Sequence, residues 1–183
     1  MQKSFLLAIV TCSLVACKQA VVGKNGVRYR SAVQYNDYIV ERQTALMKNV
    51  MTFGKMGNDK LDSAEALLNL SAAQVEIMIE ELKGMPPYKG DSSLRNAAVN
   101  SFTFYKRLFK EDYMDIIRIR KKGADNITEE DVEEANGISE KIKKEEDELD
   151  KRFHKAQENY AEKNNIKLTD NRIQEEVDKL DKK

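Results

Sequence analysis

From Ser31 onward, apolar residues return every three or four positions, and four long stretches carry that rhythm. The first runs from Ser31, suited to an N-cap, through Tyr35, Ile39, Leu46, Val50 and Phe53, with Gly54 as the stop. The second begins after Asn58-Asp59 and carries Leu61, Ala64, Leu68, Val75, Met78 and Leu82 before Gly84 and Pro86-Pro87 end it. Leu61, Leu68, Val75 and Leu82 are spaced as a heptad echo. The third starts at Asp91 or Ser92 and is expected to continue unbroken through Leu94, Ala98, Phe102, Tyr105, Phe109 and Ile116 to Gly123, with Phe104 pointing outward. The fourth has the strongest start signal. Thr128 caps, Asp131 follows three positions later, and Val132 is placed to close a hydrophobic staple over Ile127. It runs through Ala135, Ile142, Leu149, Phe153, Ala156 and Tyr160 to Asn164-Asn165. Residues 166–183 form a tail in which Ile173, Val177 and Leu180 predict a short amphipathic helix over 169–180.

Short connections bring sequential helices together antiparallel, so the expected fold is an all-α, up-down-up-down four-helix bundle over residues 31–165. The first two helices would be roughly 35–38 Å long and the last two roughly 46–52 Å. The surplus predicts a two-helix tip over residues 116–138, far from the N-terminus. Arg118, Arg120, Lys121 and Lys122 stand on one side of its turn and Glu129, Glu130, Asp131, Glu133 and Glu134 on the other. Pairing across the hairpin is one reading of these charges. The other makes Ile117, Arg118 and Arg120 a docking point for an acidic or apolar partner.

The first residues follow a different logic. Lys3 precedes an apolar run, Phe5-Leu6-Leu7-Ala8-Ile9-Val10, which continues to Leu14-Val15-Ala16-Cys17 and is too short to span a bilayer comfortably. That end resembles the lipobox of bacterial lipoproteins. The resemblance implies a signal peptide over 1–16, cleavage before Cys17, and lipid on the Cys17 sulfur and on the new amino terminus. Membrane attachment would be covalent, without a spanning helix. Lys18, where inner-membrane lipoproteins of the best-known sorting system carry Asp, points by the same resemblance to the outer membrane. Residues 17–30, with two glycines, no acid and no apolar period, read as a flexible tether whose cations suit either lipid headgroups or a soluble spacer.

Composition narrows the chemistry. The 183 residues balance 31 Lys+Arg against 31 Asp+Glu, and only 8 Gly and 2 Pro occur, which favours helix. A net charge of zero and a pI near 6.6 give no overall field to gather phosphates or acidic membranes, so nucleic acid is not an expected partner. Cys12 leaves with the signal peptide and Cys17 carries lipid, which removes thiol, disulfide and thiolate–zinc chemistry. The single histidine, His154, follows Lys151 by three positions where a di-iron bundle needs Glu, and it reads as a surface residue. Phosphate-cradling, haem-attachment and nucleophile-elbow patterns are absent from the sequence, and residues 125–131 lack the EF-hand arrangement. Glu76, Glu80, Glu81 and the Glu145-Glu146-Asp147-Glu148 run read as solvated faces. Met47, Met51, Met78 and Met114 read as core filler. No cofactor and no metal are expected.

With the lipobox, the four helices and the Pro86-Pro87-Tyr88-Lys89-Gly90-Asp91 connector, the chain resembles the all-helical surface lipoproteins of didermic bacteria that have no assigned activity. With no catalytic pattern in the sequence, the favoured reading is a non-enzymatic, membrane-tethered interaction module of the cell envelope, with a protein or envelope component as partner. The alternative is a periplasmic binder of a small apolar ligand within the bundle core.

Overall fold

A computed structural model of the chain describes residues 20–168. Cys17 and the helix expected over 169–180 lie outside the described residues. The described chain opens with two antiparallel strands, β1 (Val21–Val22) and β2 (Arg28–Tyr29), in which Val21 pairs with Tyr29 and Val22 with Arg28. Five helices follow: α1 (Ala32–Gly54), α2 (Leu61–Lys83), α3 (Ser93–Lys110), α4 (Asp112–Arg120) and α5 (Glu129–Asn164). Because α3 and α4 run nearly end to end, they act as one rod. The fold is an all-α bundle of four rods.

Side-chain pairs define the direction of each neighbour. Arg42 bonds Glu81 and Asn49 bonds Gln74, so a step of seven residues along α1 is matched by seven residues back along α2. Arg107 meets Glu145 while Arg118 meets Glu134, which runs the third rod antiparallel to α5. Gln157 on α5 donates to Asn36 on α1 and closes the ring. One end of the bundle therefore gathers the start of α1, the end of α2, the start of α3 and the end of α5. The hairpin sits at that end.

Helices α1 and α5 each begin where a side chain accepts an orphan N–H. Ser31 accepts from the amide of Gln34 at 3.2 Å. Thr128 and Asp131 form the reciprocal capping box at the start of α5, and Asn165 ends that helix in the left-handed region at φ 51°. The proposed staple partners Ile127 and Val132 both remain exposed. The core is the expected set of faces: Tyr35, Ile39, Leu46 and Phe53 from α1; Ala64, Leu68, Val75 and Leu82 from α2; Leu94, Ala98, Phe102 and Phe109 from α3; Ile142, Phe153 and Tyr160 from α5.

Four expectations are corrected. The third helix is not continuous: Glu111 adopts φ −123° and ψ −79°, which interrupts the helical ladder, and α4 restarts with Asp112 and Asp115 in a first turn that suits carboxylates. The break shifts the inward phase. Ile117 and Ile119 are buried, whereas Ile116, expected in the core, is only partly covered. Phe104, expected outside, is also buried and packs edge-on against Tyr105, because α3 touches both α2 and α5 and so hides a wide arc. Finally, the flexible tether expected over 17–30 is ordered from residue 20 onward: β1 and β2 pair, and Tyr29 is 1% exposed within the core.

Candidate functional site

The hairpin end is the most elaborated part of the molecule. Asn25, in the turn between β1 and β2, donates through Nδ2 to the phenol of Tyr29 at 2.7 Å and to the carbonyl of Glu81 at 3.1 Å. Its backbone N–H reaches the carbonyl of Gly84 at 3.4 Å. This contact needs glycine on both sides: a Cβ on Gly84 would lie 2.8 Å from the Asn25 nitrogen, and one on Gly23 would lie 2.7 Å from the Gly84 carbonyl oxygen. The neighbouring connector makes a second tight turn, with Tyr88 and Asp91 exchanging backbone hydrogen bonds while Lys89 and Gly90 take φ values of 50° and 84°. Its prolines end α2 and present the Pro86 carbonyl to the phenol of Tyr35 at 3.0 Å.

Five tyrosines meet beneath these turns. Tyr35 lies against Tyr29, Tyr88 and Tyr160 with ring centroids 5.1–5.5 Å apart, and Tyr38 stands edge-on to Tyr29. Burial pushes the phenols of Tyr29 and Tyr35 up to about 12, and raises Tyr160 further still, with Tyr88 and Tyr35 adding to the effect. These are neutral structural phenols. Arg42 lies over the Tyr38 ring at 3.3 Å and pairs with Glu81 at 2.7 Å, which fixes α1 to α2 just below the hairpin.

Cations gather on the turns of this end, beside exposed acids such as Asp37 and Glu162 on the helices. Lys24, Arg28 and Arg30 on the hairpin, Lys89 in the connector and Lys167 beyond α5 are exposed, and among the described residues none of them forms an ion pair. Asp91 does, with Lys163 at 2.7 Å; Lys163 and the Ser93 amide hold its carboxyl far below the ordinary range. Cross-strand register puts Val22 beside Arg28, and Arg28 in β2 and Arg30 just past its end are exposed while Tyr29 between them is buried. The hairpin thus shows the core one tyrosine and shows solvent Val22, Arg28 and Arg30.

Below the hairpin, the outward face of α2 is apolar over three turns. Leu70 and Ile77 are 58% and 62% exposed, and Ala66 and Ala73 continue the same stripe at spacings of three and four. At its upper end Ile77 lines an open groove of about 580 Å³ together with Lys24, Glu76, Glu80 and Lys83. Lys106 from α3 pairs with Glu76 across the groove wall, and Lys83 pairs with Glu80.

The residues expected to form a binding tip have other partners. Ile117 is 2% exposed, buried by the phase shift at Glu111. Arg118 bonds Glu134 at 2.6 Å and lies 3.6 Å from Asp115. Arg120 donates to the Asn58 side chain at 2.7 Å and to the Met56 carbonyl at 3.1 Å. Lys121 meets Asp62 and Glu65, and Lys122 meets Asp131 at 2.6 Å. The end of α4 is therefore level with the start of α2, and no two-helix overhang extends from the third rod. The three residues do lie together, beside a groove of about 230 Å³ that Ile117 and Arg118 line with Glu65, Met114 and Lys121.

A second polar cluster closes the α3–α4 joint onto α5. Buried Asp112 accepts from Lys141 at 2.8 Å, while its other oxygen lies 3.4 Å from Arg107 without hydrogen-bond alignment. Tyr105 donates to Glu146; burial first, and then that carboxylate, drive its phenol well above the usual range. Among the described residues, no group of three or more histidine, cysteine or carboxylate side chains is placed to hold a metal ion, and no helix is long and apolar enough to cross a membrane. His154 is exposed.

The order of the hairpin and its patch of cations were missed in the sequence. The available signal was Asn25-Gly26 between Val21-Val22 and Val27-Arg28-Tyr29, the dipeptide that tight hairpins favour. No family model matches the chain, and neither a curated protein nor a solved structure shows significant similarity to it.

Proposed function

We propose that the chain is a membrane-tethered, non-enzymatic interaction protein of the bacterial cell envelope, held at the outer membrane by lipid on Cys17 and meeting a protein or envelope component through the outer face of α2. The observation that carries this reading is the exposed Leu70–Ile77 stripe on an otherwise well-filled bundle: its spacing is that of a helix seam, and among the described residues no element covers it. The lipobox supports the anchoring part. Cys17 precedes the first described residue by three positions, a reach of at most about 11 Å, so lipid there would hold the hairpin end near the bilayer and leave the side of α2 open to a partner. The tip residues Ile117, Arg118 and Arg120 give the interaction less support, since one is buried and the other two are engaged within the chain.

Two measurements test the two halves of the proposal. Cys17→Ser should abolish incorporation of labelled palmitate and release the chain from the membrane fraction; undiminished labelling would remove the lipoprotein reading. A photo-crosslinking residue at Ile77 in intact cells should give a discrete adduct that Leu70→Glu abolishes, whereas one at exposed Lys143 should not. Identical adducts from both positions would overturn the assignment of the α2 face.

A further inference from the structure

We infer that the hairpin end of the bundle is a docking face for anionic lipid. The inference concerns only described residues and does not depend on a lipid at Cys17. A chain with no net charge has nevertheless collected, at one end, cations that form no ion pair among the described residues. Residues 20–36 contain Lys24, Arg28 and Arg30 and no acid, and the α2–α3 connector and the α5 terminus add Lys89 and Lys167. The one acid in the connector, Asp91, is neutralised by Lys163. At the opposite end, Arg118, Lys121 and Lys122 all meet carboxylates, and Arg120 is engaged by Asn58 and Met56. Lys55 and Lys60 at that end are exposed without an ion pair among the described residues, so what sets the hairpin apart is its acid-free run over 20–36 and not its number of cations.

Two further observations favour lipid over another polyanion. Exposed Val22 is the cross-strand neighbour of Arg28, and exposed Val33 sits in the first turn of α1, so apolar side chains are set among the cations. That mixture fits the boundary between headgroups and acyl chains, where cations meet phosphate and short apolar groups enter the interface. Three of the five tyrosines of this end, which could have stacked on bases, are instead turned inward: Tyr29, Tyr35 and Tyr160 are fully buried, and Tyr38 and Tyr88 are half-buried.

The hairpin also gives the face rigidity. Arg28 and Arg30 project from a strand pinned by buried Tyr29 and by the Asn25 hydrogen bonds to Glu81 and Gly84. Little ordering entropy is left to lose when the surface docks.

The test uses the chain from residue 17 onward with Cys17→Ser, which retains every contact described above, and vesicles of equal parts phosphatidylcholine and phosphatidylglycerol. Cosedimentation should show binding that weakens with added salt and is negligible on pure phosphatidylcholine. Lys24→Gln, Arg28→Gln and Arg30→Gln together should lower the partition coefficient on the order of a hundredfold, at about fivefold per cation. Lys89→Gln with Lys167→Gln, outside the hairpin, should lower it about twenty-five-fold on the same scale. Lys143→Gln, Lys144→Gln and Lys151→Gln on exposed α5 make the same change in net charge as the hairpin triple and should leave binding within about twofold, being outside the surface layer. Equal losses from the hairpin and α5 triples, equal binding to neutral vesicles, or tighter binding to single-stranded DNA than to the anionic vesicles would each overturn the assignment.

Discussion

The phenol of Tyr160 donates to the carbonyl of Ala32 across 3.1 Å, and its ring stacks on Tyr35 with centroids 5.5 Å apart. A residue from the last turns of α5 thereby ties to the first turn of α1. Tyr160→Phe removes the donor and keeps the ring, so it should cost about 1 kcal/mol. Tyr160→Ala also empties the centre of the tyrosine group and should cost about 3–5 kcal/mol. Chemical denaturation of the two variants measures both numbers; equal losses would mean that the hydrogen bond, not the ring, holds α5 to α1.

The α2 seam gives a second expectation. Leu68 is fully buried, and Leu68→Ala should cost roughly 2–5 kcal/mol. Val75→Asp should cost more, because it places an unpaired charge where no solvent reaches. Exposed Lys60→Ala should shift the melting temperature little.

The tip substitutions reverse in meaning once the fold is known. Combining Ile117→Ser, Arg118→Glu and Arg120→Glu looks harmless to folding if the three residues overhang, yet Ile117 is core and Arg120 clamps the α1–α2 connector. Ile117→Ser alone should cost about 3 kcal/mol or more. Arg118→Gln loses an exposed pair and should cost at most about 1 kcal/mol. A thermal melt of each single variant separates the two cases.

Stability should depend on alkaline pH through the buried phenols. Tyr29 and Tyr35 titrate near 10 when unfolded and near 12 when folded, so the folded chain retains their protons where the unfolded chain loses them. Their contribution is complete below about pH 10 and is lost as pH rises through about 12. Phenolate absorbance should show these groups titrating late, and Tyr35→Phe should flatten the fall in stability across that window.

At the acid end Asp131 behaves with the opposite sign. Lys122 and the amide of Thr128 lower its carboxyl to about 2, so its contribution is present above the unfolded value near 4 and disappears as pH falls through about 2. Asp131→Asn should melt below the parent chain at neutral pH and converge with it in strong acid.

Helix faces and caps were legible because each repeats a local rule: the Thr128–Asp131 box and the Ser31 cap stand as the sequence predicts, and Leu68, Val75 and Leu82 of the heptad are buried while Leu61 is half-buried. The break at Glu111 was hidden because Lys110-Glu111-Asp112 contains neither Pro nor Gly, and its effect, the inward turn of Ile117, is set by tertiary packing. The hairpin was hidden for a different reason. Strands of two residues are too short to show a period, and what orders them is a long-range contact with Gly84. A zero total charge likewise concealed the acid-free run of cations over residues 20–36, since summing over the chain cancels it against acids elsewhere.

The Gly23–Gly84 seam makes the hairpin's mounting a backbone joint. Beside the buried Tyr29 ring, what seats it is the absence of two methyl groups and a pair of carbonyl contacts, and that seam neither titrates nor answers to ionic strength. Lys24, Arg28 and Arg30 can therefore exchange counterions, or gain and lose a charged surface, without loosening the part that carries them. The joint isolates the bundle's interior from the electrostatic traffic at its end, and a single alanine at Gly84 is the smallest change that would breach that isolation.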